Sequence, residues 1–183
     1  MGEHAPVVLL LVDVINDFAF PQGTKLLRHA IPAAKRIEAL KKRLQKHNIP
    51  SIYVNDNFGR WRSDFKKQVE RCTAGCAVGA PVAQALRPGE NDYFVLKPRH
   101  SGFFASALEV LLQSLGAKKL IITGFAADIC VLFTANDAYM RGYEIVIPAD
   151  CIASETTSAK QTACHQMKRF LRADVRLSNS LRF

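Results

Sequence analysis

The chain has 183 residues, 49% of them hydrophobic, which favours a single domain over residues 1–183 with a substantial core and argues against a disordered or membrane-embedded chain. Five cysteines, an odd number at irregular spacing, argue against a disulfide framework and favour the reducing cytoplasm. The net charge of +9 comes without a zinc-finger spacing, an RNP-type motif or an uninterrupted basic run, so nucleic acid is not an expected partner.

Strand and helix patterns alternate in the first half of the chain. Val7–Val12 is an unbroken apolar run, far too short to span a membrane, and predicts a strand buried on both faces with Asp13 at its carboxyl end. Residues 32–47 carry apolar side chains at helical spacing opposite lysines and arginines, which predicts an amphipathic helix. A second strand is predicted over residues 51–54, and a short helix over residues 63–71.

The alternation continues to the carboxyl terminus. The further predicted elements are a strand over 93–96 followed by Lys97, a helix over 106–115, a strand over 119–122, a helix from about Cys130 to Met140, a strand over 143–147, a helix over 156–171 and a last strand near Val175. Apolar strands that alternate with helices predict an α/β fold, with three α/β/α layers and a mostly parallel, Rossmann-like six-stranded sheet.

Cys130 stands at the start of one predicted helix. Asp128 is the expected N-cap of this helix, so Cys130 takes the second helical position. The helix dipole and a nearby cation are then expected to lower the pKa of the thiol and make it nucleophilic. The competing interpretation is a small core residue, and position alone does not decide between the two.

Three residues whose side chains can take part in catalysis follow three different predicted strands: Asp13, Lys97 and Cys130. In an open parallel sheet, ligands bind outside the carboxyl ends of the strands. A carboxylate there can take the proton of a thiol, a lysine can hold both groups, and the thiolate can attack a carbonyl carbon. Each residue alone has a structural explanation, but their convergence favours one catalytic site.

Segments around these residues resemble the three signature segments of the isochorismatase-like cysteine hydrolases. They are VDVINDF at 12–18, KPRHSGFF at 97–104 and GFAADICV at 124–131. That superfamily includes nicotinamidases, N-carbamoylsarcosine amidases, ureidoacrylate amidohydrolases and isochorismatases. The resemblance covers almost the whole chain, with the segments in the family's order and spacing.

The resemblance implies a triad of Asp13 as general base, Lys97 as third member and Cys130 as nucleophile. It further implies a cis peptide at Phe125-Ala126 and an oxyanion hole formed by the backbone amides of Ala126 and Cys130. In the implied mechanism Asp13 takes the thiol proton, and the thiolate forms a thioester while ammonia or an amine leaves. Water activated by the same Asp13 then hydrolyses the thioester.

The chain departs from two branches of this superfamily. Nicotinamidases carry an Asp-x-His pair and a further histidine that bind a metal, whereas this chain has Asp56-Asn57-Phe58 there and no histidine between His47 and His100. Neither a metal nor another cofactor is therefore expected. Isochorismatases proper typically lack the nucleophilic cysteine, so the presence of Cys130 favours hydrolysis of a C–N bond.

Candidate substrate contacts come from two phenylalanines and one loop: Phe18, Arg60, Trp61, Arg62 and Phe103. Either arginine can clamp a carboxylate, with Trp61 as an apolar wall. The competing interpretations are an exposed basic loop and two phenylalanines of the core. His100 either contacts substrate or caps the next helix, and the sequence leaves this open.

The leading hypothesis is a metal-independent cysteine hydrolase, an amidohydrolase for a small amide, carbamoyl or ureido compound. A nicotinamidase-like or isochorismatase-like hydrolase is the alternative within enzymes. An alternative of another class is a non-catalytic binding protein with a vestigial triad. Because relatives are often oligomeric, the resemblance also implies a homo-oligomer, a dimer or a tetramer, beside the small-molecule substrate.

Overall fold

A parallel sheet forms the centre of the fold in the computed structural model, which describes residues 4–58 and 64–183. Its strands are β1 (Val7–Val12), β2 (Ser51–Asp56), β3 (Tyr93–Lys97), β4 (Lys119–Phe125), β5 (Glu144–Val146) and β6 (Ile152–Ala153). Five lie in the order β3-β2-β1-β4-β5, β6 pairs with β4, and every pairing is parallel. The predicted six-stranded parallel sheet is confirmed.

Helices cover both faces of this sheet. They are α1 (Gly23–Gln45), α2 (Phe65–Thr73), α3 (Ala80–Ala85), α4 (Leu108–Ser114), α5 (Leu132–Met140) and α6 (Thr157–Phe170). A π-helix, Ala127–Val131, leads directly into α5. Within the described residues no helix has both the length and the apolar character needed to cross a membrane.

The side chains of β1 alternate between two cores, one on each face of the sheet. Val8, Leu10 and Val12 pack with apolar residues of α4, α5 and α6. Leu9 and Leu11 point the other way and pack with α1, α2 and α3. Because successive strand side chains face opposite sides, an unbroken apolar run is what a strand with two covered faces requires. The three-layer α/β/α prediction is confirmed.

The first helix begins earlier than predicted. It starts at Gly23 and runs through Pro32, which the prediction had taken as its first residue. Leu26 and Ala30 are buried ahead of the proline, and we attribute the continuation of the helix to this apolar contact. A Cβ at Gly23 would lie 2.0 Å from the carbonyl oxygen of Phe18, so the helix start requires glycine.

Two further differences lie in short elements. The sixth strand is Ile152–Ala153, beside β4, and the predicted strand near Val175 is wrong, because the chain there forms only an isolated bridge between Val146 and Asp174. The six-residue helix α3 is absent from the prediction. Elements of two to six residues carry too little periodic pattern to be recognised.

Candidate active site

Three parallel strands end at the same edge of the sheet and bring the predicted triad there. Asp13 follows β1, Lys97 is the last residue of β3, and Cys130 is the fourth residue of the π-helix after β4. Because β2 lies between β1 and β3, the Lys97 side chain has to reach past one strand, where its register partner is Asp56. Lysine is long enough for this reach.

The ammonium group of Lys97 contacts both other residues of the predicted triad. Its Nζ lies 2.9 Å from Asp13 Oδ2 and 3.6 Å from Cys130 Sγ, and it donates to the carbonyl of Arg99 at 3.1 Å. The Asp56 carboxylate is 3.8 Å away. Burial lowers the pKa of Lys97, but the charge of the Asp13 carboxylate, with a smaller contribution from Asp56, outweighs burial and raises this pKa overall. The lysine is therefore charged at neutral pH.

The carboxylate of Asp13 is fixed on both sides. Its Oδ1 accepts a hydrogen bond from the Asp56 amide at 2.7 Å, while its Oδ2 faces Lys97. The residue is 6% exposed and has a φ of 51°, in the left-handed region that non-glycine residues seldom adopt. Backbone strain of this kind clusters at functional sites, where it orients a side chain.

Cys130 lies in a widened helical turn. The amide of Val131 donates to the carbonyl of Ala126, five residues earlier, at 3.1 Å, which is the bond of a π-helix. The regular α-helix therefore begins at Leu132. The prediction that it begins at Cys130 is wrong. The Phe125-Ala126 peptide bond is cis, as the resemblance implies.

Two expectations about Cys130 are wrong. Asp128 is not an N-cap: the π-helix has no side-chain cap, and the Asp128 carboxylate accepts a hydrogen bond from Ser154 Oγ at 2.5 Å. The pKa of the Cys130 thiol is raised, not lowered, first by burial and then by the charge of Asp13, against the opposing effect of Lys97. The sulfur is therefore a protonated thiol beside a carboxylate.

His100 lies beside the sulfur. Its Nδ1 is 3.9 Å from Cys130 Sγ, the residue is exposed, and its ring centroid is 5.6 Å from that of Phe133. The alternative in which it caps the next helix is wrong, because the N-cap of α4 is Ala107 and that end has no side-chain cap. The sequence feature that could have predicted this position is that His100 comes three residues after Lys97, in the loop that follows the same strand end.

The two predicted substrate contacts within the described residues, Phe18 and Phe103, are buried against other aromatic rings. Phe18 is 2% exposed and packs 6.3 Å from Phe125, between ring centroids. Phe103 is 4% exposed, with its ring 6.0 Å from Tyr143 and under the guanidinium of Arg141. These contacts favour the core interpretation of both phenylalanines. The remaining candidates lie outside the described residues: Arg60, Trp61 and Arg62.

In the described ranges no group of three or more His, Cys, Asp or Glu side chains is placed to hold a metal ion. Asp56 directs one carboxylate oxygen towards Lys97, and the other accepts the amide of Phe58 at 2.5 Å. Metal independence remains a prediction.

The chain matches one known protein family over most of its length. The sequence model of the protein family described as the isochorismatase domain matches residues 7–176. The chain is 41% identical over 173 residues to YaaI of Bacillus subtilis (strain 168), an uncharacterised isochorismatase family protein, with 94% of both chains covered.

Two solved structures are similar over nearly the whole fold. The N-carbamoylsarcosine amidase of Thermoplasma acidophilum is 27% identical, with 97% of this chain and 99% of that chain covered and a TM-score of 0.71. The nicotinamidase SaPncA of Staphylococcus aureus is 25% identical, with 95% and 98% covered and a TM-score of 0.67.

Proposed function

The chain belongs to the isochorismatase family of hydrolases, and from this premise we propose that it cleaves a C–N bond of a small amide, carbamoyl or ureido compound. The observation that carries the proposal is the position of Lys97, whose Nζ contacts both Asp13 Oδ2 and Cys130 Sγ. A nucleophile, a proton acceptor and a cation that holds both are the groups that acyl transfer requires.

The acylation step uses these three groups in turn. Asp13 takes the proton of the Cys130 thiol, and the sulfur bonds to the carbonyl carbon of the substrate. The C–N bond then breaks, and the proton passes from Asp13 to the leaving nitrogen, which departs as ammonia or a neutral amine. The raised pKa of the thiol supports transfer to an adjacent base during the reaction rather than a free thiolate beforehand.

The oxyanion of the tetrahedral intermediate is assigned to the backbone amides of Ala126 and Cys130. Ala126 is the N-cap of the π-helix, and Cys130 comes just before Val131, whose amide makes the five-residue bond back to the Ala126 carbonyl. Amides ahead of the first such bond have no acceptor of this kind in the helix. Donors fixed in this way stabilise the developing charge by roughly 3 kcal/mol each. Water then hydrolyses the thioester and releases the acid.

A screen of small amides, carbamoyl and ureido compounds for ammonia release tests the proposal. With any compound that is turned over, Cys130→Ala should abolish ammonia release and leave the unfolding midpoint in urea close to that of the wild type. Cys76→Ala, at an exposed cysteine, is the matched control and should retain full activity. A Cys130→Ala variant that still releases ammonia would refute the thioester.

Two alternatives are separated by the same screen. Ammonia release that EDTA abolishes would indicate a metal enzyme of the nicotinamidase kind. A compound that binds tightly but is never cleaved, with equal affinity for wild type and Cys130→Ala, would favour a binding protein with a vestigial triad.

A further inference from the structure

The imidazole of His100 is a second acid–base group in contact with the sulfur. Its Nδ1 is 3.9 Å from Cys130 Sγ, inside the range of a hydrogen bond that involves sulfur. In contrast to the buried Lys97 and Asp13, His100 is exposed. The sulfur thus has buried groups on the triad side and a solvent-accessible base beside it.

The loop that carries His100 is held at both ends. Before it, the carbonyl of Arg99 accepts a hydrogen bond from Lys97 Nζ at 3.1 Å. After it, the amide of Gly102 donates to Thr134 Oγ1 at 3.0 Å. A base on an anchored loop keeps a constant distance to the sulfur, as acid–base catalysis requires.

The resemblance implies that Asp13 activates the hydrolytic water, but the surroundings of Asp13 leave it poorly placed for this role. One carboxylate oxygen accepts the amide of Asp56 and the other pairs with Lys97, and the residue is 6% exposed. The water that attacks the thioester arrives from solvent, where His100 is accessible.

We propose that His100 activates the hydrolytic water, so that Asp13 serves acylation and His100 serves deacylation; this inference rests on the proposed acyl-enzyme. Neutral His100 takes a proton from water while the oxygen bonds to the thioester carbon. The C–S bond then breaks, and Sγ recovers a proton from the imidazolium. Each half-reaction begins and ends with its base in the same protonation state.

The test uses 4-nitrophenyl acetate, an ester that acylates a reactive thiol and releases coloured 4-nitrophenolate. In His100→Gln, we expect a burst of about one 4-nitrophenolate per site, as in the wild type, followed by a steady state lowered roughly 100-fold, the scale of general-base catalysis. The acetyl group should accumulate on Cys130 and be detected there by mass spectrometry.

Hydroxylamine distinguishes a catalytic role of His100 from a purely structural one, because it would not restore turnover to a variant whose site is merely distorted. It cleaves thioesters without help from a base and should restore turnover of His100→Gln. The matched control is His165→Gln at an exposed histidine of α6, which should behave as the wild type. Asp13→Asn should slow the burst itself, because it impairs acylation.

The possible failures are distinguishable. A His100→Gln variant with the steady state of the wild type would overturn the role of His100 and leave the acyl-enzyme standing. A variant slowed equally in burst and steady state, without rescue by hydroxylamine, would also overturn it. If no protein shows a burst that depends on Cys130, the acyl-enzyme and the role of His100 fall together.

Discussion

At the scale of single residues, the site depends on one buried positive charge. The Lys97 side chain is fully buried between Asp13, Asp56 and Cys130. Taking such a group out of water is costly and is offset by its partners. Its raised pKa means that this stabilisation is complete below the unfolded value of about 10.4 and is lost only as pH rises through the higher folded value.

Lys97→Met should therefore destabilise the protein by about 3–5 kcal/mol, because it leaves the Asp13 carboxylate buried without a counter-ion. The double variant Lys97→Met/Asp13→Asn should be more stable than Lys97→Met alone, and by the proposed mechanism both variants should lack activity. Urea unfolding at pH 7 measures both. Lys119→Met is the matched control, since its pair with Glu144 is partly exposed and should contribute less than about 1 kcal/mol. Equal losses at both lysines would contradict the argument.

A second prediction at this scale concerns Cys151, which is fully buried. Burial first, and the charge of Asp150 next, raise the pKa of its thiol to about 12. Above pH about 8.5 the thiol ionises in the unfolded chain but not in the folded one, so stability falls by on the order of 1 kcal/mol per pH unit.

Between pH 7.5 and pH 10 the free energy of unfolding of Cys151→Ala should therefore fall less steeply than that of the wild type. Unfolding in urea with reductant present measures the two slopes. Cys76→Ala, at an exposed thiol, should follow the wild type. Parallel slopes for the wild type and Cys151→Ala would mean that Cys151 ionises equally in both states.

At the scale of elements, the sequence predicts which site residues lie at strand ends, but it does not predict the conformation of the turn that carries Cys130. The apolar run before Asp13 predicts a strand buried on both faces, which is what β1 is. Lys97 ends a shorter β-type run in the edge strand β3, where the strand is only partly buried. The π-helix has no comparable signal: one extra residue in a turn depends on the carbonyl of Ala126 reaching the amide of Val131. The raised pKa of Cys130 likewise depends on packing that no local pattern records.

The end of β4 gives a prediction about how this element is held. Gly124 has a φ of 115°, and a Cβ there would lie 2.0 Å from the carbonyl oxygen of Val12 on β1. Gly142, with a φ of 81°, has open space around the same position. Both alanine variants carry backbone strain of about 1–2 kcal/mol, but only Gly124→Ala also forces two strands apart.

Gly124→Ala should consequently lower stability by several kcal/mol beyond Gly142→Ala and should reduce the reactivity of Cys130, six residues downstream. Urea unfolding and labelling of Cys130 with iodoacetamide measure the two effects. Gly142→Ala should keep the labelling rate of the wild type. Equal stability of the two variants would show that the strands accommodate the methyl group.

At the scale of the whole molecule, basic residues are in excess, whereas carboxylates outnumber the lysine in the ion pairs of Lys97. The chain carries 25 Lys and Arg against 16 Asp and Glu. In the site, the described residues place two carboxylates, Asp13 and Asp56, at 2.9 and 3.8 Å from the ammonium of Lys97. The amino-acid composition gives the overall charge, but only the folded sheet brings Asp13, Asp56 and Lys97 together.

A chain with excess positive charge should attract small anions over distances comparable to the Debye length, about 10 Å at 0.1 M salt. The rate of acylation of Cys130 by 4-nitrophenyl hemisuccinate, an anion, should therefore fall several-fold as NaCl rises from about 10 to 300 mM. For neutral 4-nitrophenyl acetate the rate should change less than about twofold, because a neutral ester is not steered. Stopped-flow release of 4-nitrophenolate, corrected with Cys130→Ala, measures both. An anionic ester whose rate rises with salt would show that the local carboxylates outweigh the basic surface.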